Sequence, residues 1–246
     1  MDRMLYVAMS GARQLLHAQT LVANNLANAN TTGFRADRLS LEALPVYGPG
    51  QPARVYVQAQ GTGPDTSAGA FTSTGRELDV AISGSGYIAV QGPDGREGYT
   101  RAGNLQLSAN GQLTTGQGWP VLGNGGPIAI PPTEKIEIGA DGTISVVPVG
   151  QDAATLSVLD RIKLVAPDER ALTKAGHGLL RLRNGADAAP DAGVTLVSGQ
   201  IESSNVNAIE QMTAMIDYAR QYEMQIKMMS TARDNADRSA ALMQLS

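Results

Sequence analysis

From Ile201 to Ser246 the chain has neither glycine nor proline, although its 246 residues include 28 of the first and 12 of the second. Nothing in that stretch breaks a helix, so it reads as one long helix. Small and apolar residues recur along it at alternating spacings of three and four: Ala208, Met212, Met215, Ala219, Tyr222, Ile226, Met229, then Ala236, Ala240 and Met243, with Arg233 as the charged interruption. That is a heptad seam. Asn207, followed three residues later by Glu210, supplies a start signal. Glu223 with Lys227, and Asp234 with Arg238, add i,i+4 pairs in the favoured order. At roughly 1.5 Å per residue the helix is about 55 Å long, and its apolar stripe requires a partner.

The opposite end carries a matching stripe. Leu5, Ala8, Ala12, Leu15, Gln19, Val22, Leu26 and Ala29 fall on one seam, and Gly11 is the only glycine before Gly33. All 9 methionines lie at or before Met9 or at and beyond Met212, whereas every proline and every other glycine lies between Gly33 and Gly199. The chain is helical at its ends and something else between them. Methionine adapts to irregular neighbours, which suits helices that must pack in more than one setting. Heptads of this length support either a hairpin within one chain or a seam between subunits.

The first helix is expected to stop within Asn24–Arg35, where asparagines accumulate and Gly33 is the natural terminator. From Arg35 to about Arg76, Pro45, Pro49, Pro52 and Pro64 alternate with glycines around one strand-like run, Arg54–Gln58. This predicts an extended connector or long hairpin. Beyond it come short alternating runs: Leu78, Val80, Ile82; Ile88, Val90; Leu105, Leu107; Ile128, Ile130; Ile136, Ile138; Ile144, Val146; Ile162, Leu164; Leu180, Leu182; Val194, Leu196. Asp94-Gly95, Asn110-Gly111, Asn124-Gly125, Asp141-Gly142 and Asn184-Gly185 stand between several of them as tight-turn dipeptides. The expected class is α+β: terminal helices (1–34 and 201–246) paired as a coiled-coil-like shaft, a connector (35–77), and an inserted antiparallel β domain (78–200).

Candidate chemistry is sparse. With no cysteine there is no disulfide, thiolate or cysteine metal site. A net charge of −4 gives no basic footprint for nucleic acid. No apolar run is long enough to span a membrane, and Asp2 before the apolar Met4–Ala12 argues against a cleaved leader there. Gly84-Ser85-Gly86-Tyr87-Ile88-Ala89 fits a dinucleotide fingerprint, but strand alternation continues where a helix is required, so it reads as a turn. His17 and His177 lack ligand-like neighbours, Asn30-Thr31-Thr32 is read as a chance glycosylation sequon, and Arg76, Arg96 and Arg101 read as solvated surface. No catalytic, metal or cofactor residue is expected.

Three stretches resemble flagellar rod and hook proteins. They are Ala23-Asn24-Asn25-Leu26-Ala27-Asn28-Ala29-Asn30-Thr31-Thr32-Gly33-Phe34-Arg35, then Leu78–Tyr87 with Tyr99-Thr100-Arg101-Ala102-Gly103-Asn104, and Gly199–Val206 leading into the last helix. The opening Met1–Ala12 and the segment Tyr222–Lys227 look most like the proximal-rod branch. The resemblance implies a non-enzymatic axial subunit of the basal body, exported through the flagellum's own channel without a cleaved signal. Its helices would line an inner tube and its β lobe an outer layer in the periplasm. The implied partners are other rod subunits of the FlgB, FlgC, FlgG and FliE types, further copies of the chain, and the export apparatus.

On that reading the interface residues are Leu5, Ala8, Ala12, Leu15, Gln19, Val22, Leu26, Met212, Met215, Ala219, Tyr222, Ile226, Met229, Ala236, Ala240 and Met243 from the seams. Asn25, Asn28, Asn30, Phe34 and Asn205 join them from the motifs. A distal-rod subunit, a glycan-binding β module oligomerised by its helices, and an enzyme acting on that glycan are the competing readings.

Overall fold

The computed structural model describes residues 4–45, 55–150 and 156–244, so Pro49, Pro52 and Arg54 of the expected connector lie outside the described residues. The fold is α+β, with a helix at each end and several antiparallel sheets between them. Packing divides it into two units: 1–27, 37–62 and 207–246 form the first, and 28–36 with 63–206 the second.

In the first unit, α1 (Met4–Ala27) and α2 (Ala208–Gln244) lie against each other. Asn207 caps α2 as its position predicts, its Oδ1 accepting the amides of Ile209 at 3.1 Å and Glu210 at 3.3 Å. The helices run antiparallel: Asn25 Nδ2 donates to Gln211 Oε1 at 3.4 Å, and near the other end of α1 a Cβ on Gly11 would lie 3.3 Å from the side chain of Gln225. Helix α1 buries Ala8, Ala12, Leu15, Ala18, Val22 and Asn25. On α2, Gln211, Met215, Tyr218, Tyr222, Gln225 and Met229 are half-buried and Ala232 is buried, again at alternating spacings of four and three. From Arg233 to Met243 every residue is exposed. Asp37–Pro45 and Val55–Pro64 pair in a two-stranded sheet of the same unit.

The second unit holds the β core. Its largest sheet orders five strands as Leu164–Val165, Tyr87–Gln91, Glu97–Thr100, Leu180–Leu182 and Leu172–Lys174. Strand Tyr87–Gln91 is covered on both faces, and its alternation distributes its side chains. Ile88 and Val90 enter a core with Val80, Leu105, Leu113, Ile128, Ile144 and Leu196, while Tyr87 and Ala89 enter a second with Tyr99, Val165, Leu172 and Leu180. A three-stranded sheet (Ser157–Arg161, Thr143–Pro148, Thr133–Ile138) and short two-stranded pairs complete the unit, one of them joining Gln200–Glu202 to Phe71–Ser73. Almost every alternating run named from the sequence supplies core; Leu107, 41% exposed, does not.

Candidate functional site

Two features set this molecule apart from a generic β domain with helices: a buried charge cluster in the β unit and a second apolar face on α2.

The cluster is assembled by the three resembling motifs. The helix-ending segment leaves α1 through a turn in which Thr31 donates its amide to Asn28 O at 3.1 Å. Gly33 then takes φ +67° and donates its amide to Glu202 O at 2.8 Å. A Cβ there would lie 2.2 Å from the amide nitrogen of Ala102, so only glycine lets this segment pass so close to the lobe strand end. The next side chains, Phe34 and Arg35, turn inward and are buried.

Arg35 Nη1 pairs with Glu202 Oε1 at 2.8 Å, and Arg101 Nη1 with Glu202 Oε2 at 3.0 Å. The Gly69 amide adds a third donor to Oε1 at 2.8 Å. Arg101 also donates to Gly86 O (2.8 Å) and Gly84 O (2.6 Å), which is the use to which the glycine-rich fingerprint is put. All three charged side chains are at most 5% exposed. Stripping water from such groups costs several kcal/mol per ion, which only well-formed pairs and hydrogen bonds offset. Arg101, expected at the surface, is instead at the centre, because the carbonyls of Gly84 and Gly86 and the Glu202 carboxylate give it all its partners in the interior. Arg76 and Arg96 do reach solvent: Arg76 pairs with Asp79 at 3.2 Å, and exposed Arg96 reaches Gly185 O at 3.5 Å.

Aromatic rings flank the cluster. Arg101 lies 5.4 Å from the Tyr87 ring centroid, and Lys174 Nζ lies 4.1 Å from that of Phe34 while donating to Arg35 O at 3.1 Å. Burial pushes the Tyr87 hydroxyl above its usual range, opposed by the positive charge of Arg101 and then Arg35. Asn205 brackets the same region, accepting the Ala36 amide at 2.8 Å and donating to Asp65 O and Ser67 O. Arg35, Arg101 and Glu202 carry no sequence signal of their own. The available clue is that each lies inside a resembling motif within three residues of a glycine.

In the helical unit the expected interface residues separate into two groups. Ala8, Ala12, Leu15, Val22 and Asn25 are buried, and Leu5, Gln19, Leu26, Met215, Ala219, Tyr222 and Met229 are half-buried. Asn25 is used within the chain, its Oδ1 accepting the Asp37 amide at 2.9 Å and its Nδ2 donating to Asp37 O at 3.0 Å. Met212, Ile226, Ala236, Ala240 and Met243 face solvent, together with Ile209 (78% exposed) and Ile216 (55%), which the sequence reading did not single out. Helix α2 therefore has two apolar faces, and α1 covers one of them. In the β unit Phe34 is buried, Asn28 and Asn205 are half-buried, and Asn30 is exposed.

Three stretches of the chain match models of known families. Residues 5–35 match the family model described as flagella basal body rod protein, residues 81–146 the flagellar hook protein FlgE/F/G D1 domain, and residues 197–242 the flagellar basal body rod FlgEFG protein C-terminal region. Helical termini, inserted β unit and these matches together define a structural, non-enzymatic subunit of the flagellar basal body. The chain is 42% identical to the basal-body rod protein FlgF of Salmonella typhimurium and 43% identical to that of Escherichia coli, over all of each chain. The rod protein FlgG of Bacillus subtilis is 33% identical over 94% of this chain and 96% of its own. The chain belongs to the flagellar basal-body rod protein family. Neither the distal-rod nor the glycan-binding reading is favoured.

Proposed function

We infer that the chain is a subunit of the proximal rod, assembling through its terminal helices into the axial tube that transmits torque and encloses the export channel. The observation that carries this reading is the second face of α2. Ile209, Met212 and Ile216 form an apolar stripe that α1 leaves in water, and from Arg233 to Met243 every residue of α2 is exposed. A stripe of that kind on a surface helix marks an interaction face. Head-to-tail contacts between staggered copies and related subunits build a helical tube, since such interfaces do not close into a ring. The coiled-coil-like shaft belongs to this reading, with α1 and α2 as its intrachain pair and the exposed stripe as its seam to neighbours.

The partners are other rod subunits of the FlgB, FlgC, FlgG and FliE types, copies of this chain, and the export apparatus that delivers it to the periplasm. The β domain is the outer layer. Its buried cluster ties Gly33–Arg35 to Glu202, so the entry and exit of the β unit are held together by its own interactions. The test is motility in a strain whose only copy carries Met212→Asp and Ile216→Asp. Loss of motility with normal export and an unchanged β unit supports the reading, and normal swimming opposes it.

A further inference from the structure

In the charge cluster of the β unit two arginines share one carboxylate, and only one of them is satisfied. Arg101 directs Nε at Gly86 O, Nη2 at Gly84 O and Nη1 at Glu202 Oε2. Arg35 directs Nη1 at Ser67 O (2.7 Å) and Glu202 Oε1 (2.8 Å), while its Nε and Nη2 are buried without an acceptor among the described residues. Those two nitrogens lie on one edge of the guanidinium. Their N–H bonds run parallel, in the fork geometry that grips an anionic acceptor.

Charge points the same way. Among these three buried side chains, Arg35 and Arg101 against Glu202 leave one positive charge over. Glu202 does not supply the missing acceptor: Oε1 takes Arg35 Nη1 and the Gly69 amide, Oε2 takes Arg101, and neither oxygen bonds Arg35 Nε or Nη2. Glu169 is the other carboxylate near Tyr87, and its Oε2 is held by Thr66 Oγ1 at 2.7 Å. A water on the fork would satisfy the donors and leave the charge; an anion answers both. Arg35 is only 3% exposed, which favours a single atom over a polyatomic group.

We propose that the Nε/Nη2 edge of Arg35 is a binding site for a small monovalent inorganic anion of the halide class. The ion completes the cluster that joins the three motifs, and the β unit is more stable with it bound.

The full-length chain is unfolded thermally in sodium chloride and in sodium gluconate at equal ionic strength, and crystals grown in sodium bromide are measured at the bromine edge. Chloride at tens of times its dissociation constant is expected to raise the midpoint by about 3 °C or more over gluconate. An anomalous peak is expected within hydrogen-bonding reach of Arg35 Nε and Nη2. Arg35→Lys, which keeps the charge but removes the fork, is expected to lose both. If that variant does not fold, Glu169→Ala in the same two salts replaces it, and the chloride increment is expected to persist. Equal midpoints in the two salts with no bromide peak overturn the proposal, whether water or the Glu169 carboxylate then fills the edge.

Discussion

Glu202 Oε1 lies 2.8 Å from Arg35 Nη1, joining the segment that follows α1 to the one that precedes α2 through two side chains withdrawn from solvent. The same carboxylate holds Arg101 from the far side. Truncating it leaves two buried guanidinium groups without their counter-charge. Glu202→Ala is therefore expected to destabilise the chain by about 3–5 kcal/mol, read as a lower urea midpoint. Glu202→Gln, which keeps the shape and one acceptor, should lose less. A Glu202→Ala chain as stable as the parent would mean that the pair contributes nothing to the fold.

Gly33 and Gly61 form a matched comparison. Gly33 has φ +67° and an added Cβ would overlap the Arg101–Ala102 peptide, whereas Gly61 has nothing within 4 Å. Gly33→Ala is expected to cost more than about 1 kcal/mol, and Gly61→Ala to be close to neutral. Equal effects in denaturant titration would count against the close approach.

Arg181 holds the Asp94 carboxyl near a pKa of about 2 by donating hydrogen bonds to it, Nη1 to Oδ2 at 2.7 Å. The folded value lies below the ordinary 3.8, so the contribution to stability is present above that value and lost as the pH falls through about 2. Carboxyl chemical shifts should give a midpoint near 2 in the parent chain. Arg181→Met should move it back toward 3.8, and an unmoved midpoint would remove Arg181 as the cause.

Local pattern carried the helices and strands. The glycine-free terminus, the Asn207 cap and the alternation through Ile88 and Val90 each rest on neighbours within a turn or a strand, and each appears in the structure. The phase of α2 was less legible. Its apolar stripe is wider than one seam, so periodicity alone did not separate the line Gln211, Tyr218, Gln225, Ala232, which faces inward, from Met212 and Ile226, which stay exposed. Arg35, Arg101 and Glu202 were not legible as a cluster. Their meeting depends on how distant segments fold together, and a charged residue beside a glycine looks locally like any solvated turn.

On the proposed function, neighbouring subunits cover the exposed stripe of α2 in the rod. With no cysteine in the chain, Met212→Cys installs a single thiol on that stripe, at a position 53% exposed. Maleimide labelling of that thiol is compared in the dilute purified chain, in intact basal bodies and in basal bodies dissociated by acid and neutralised. Rapid labelling of the free chain, strong protection in the intact basal body and recovery after dissociation are expected. Labelling in the intact basal body as fast as in the free chain would contradict that coverage.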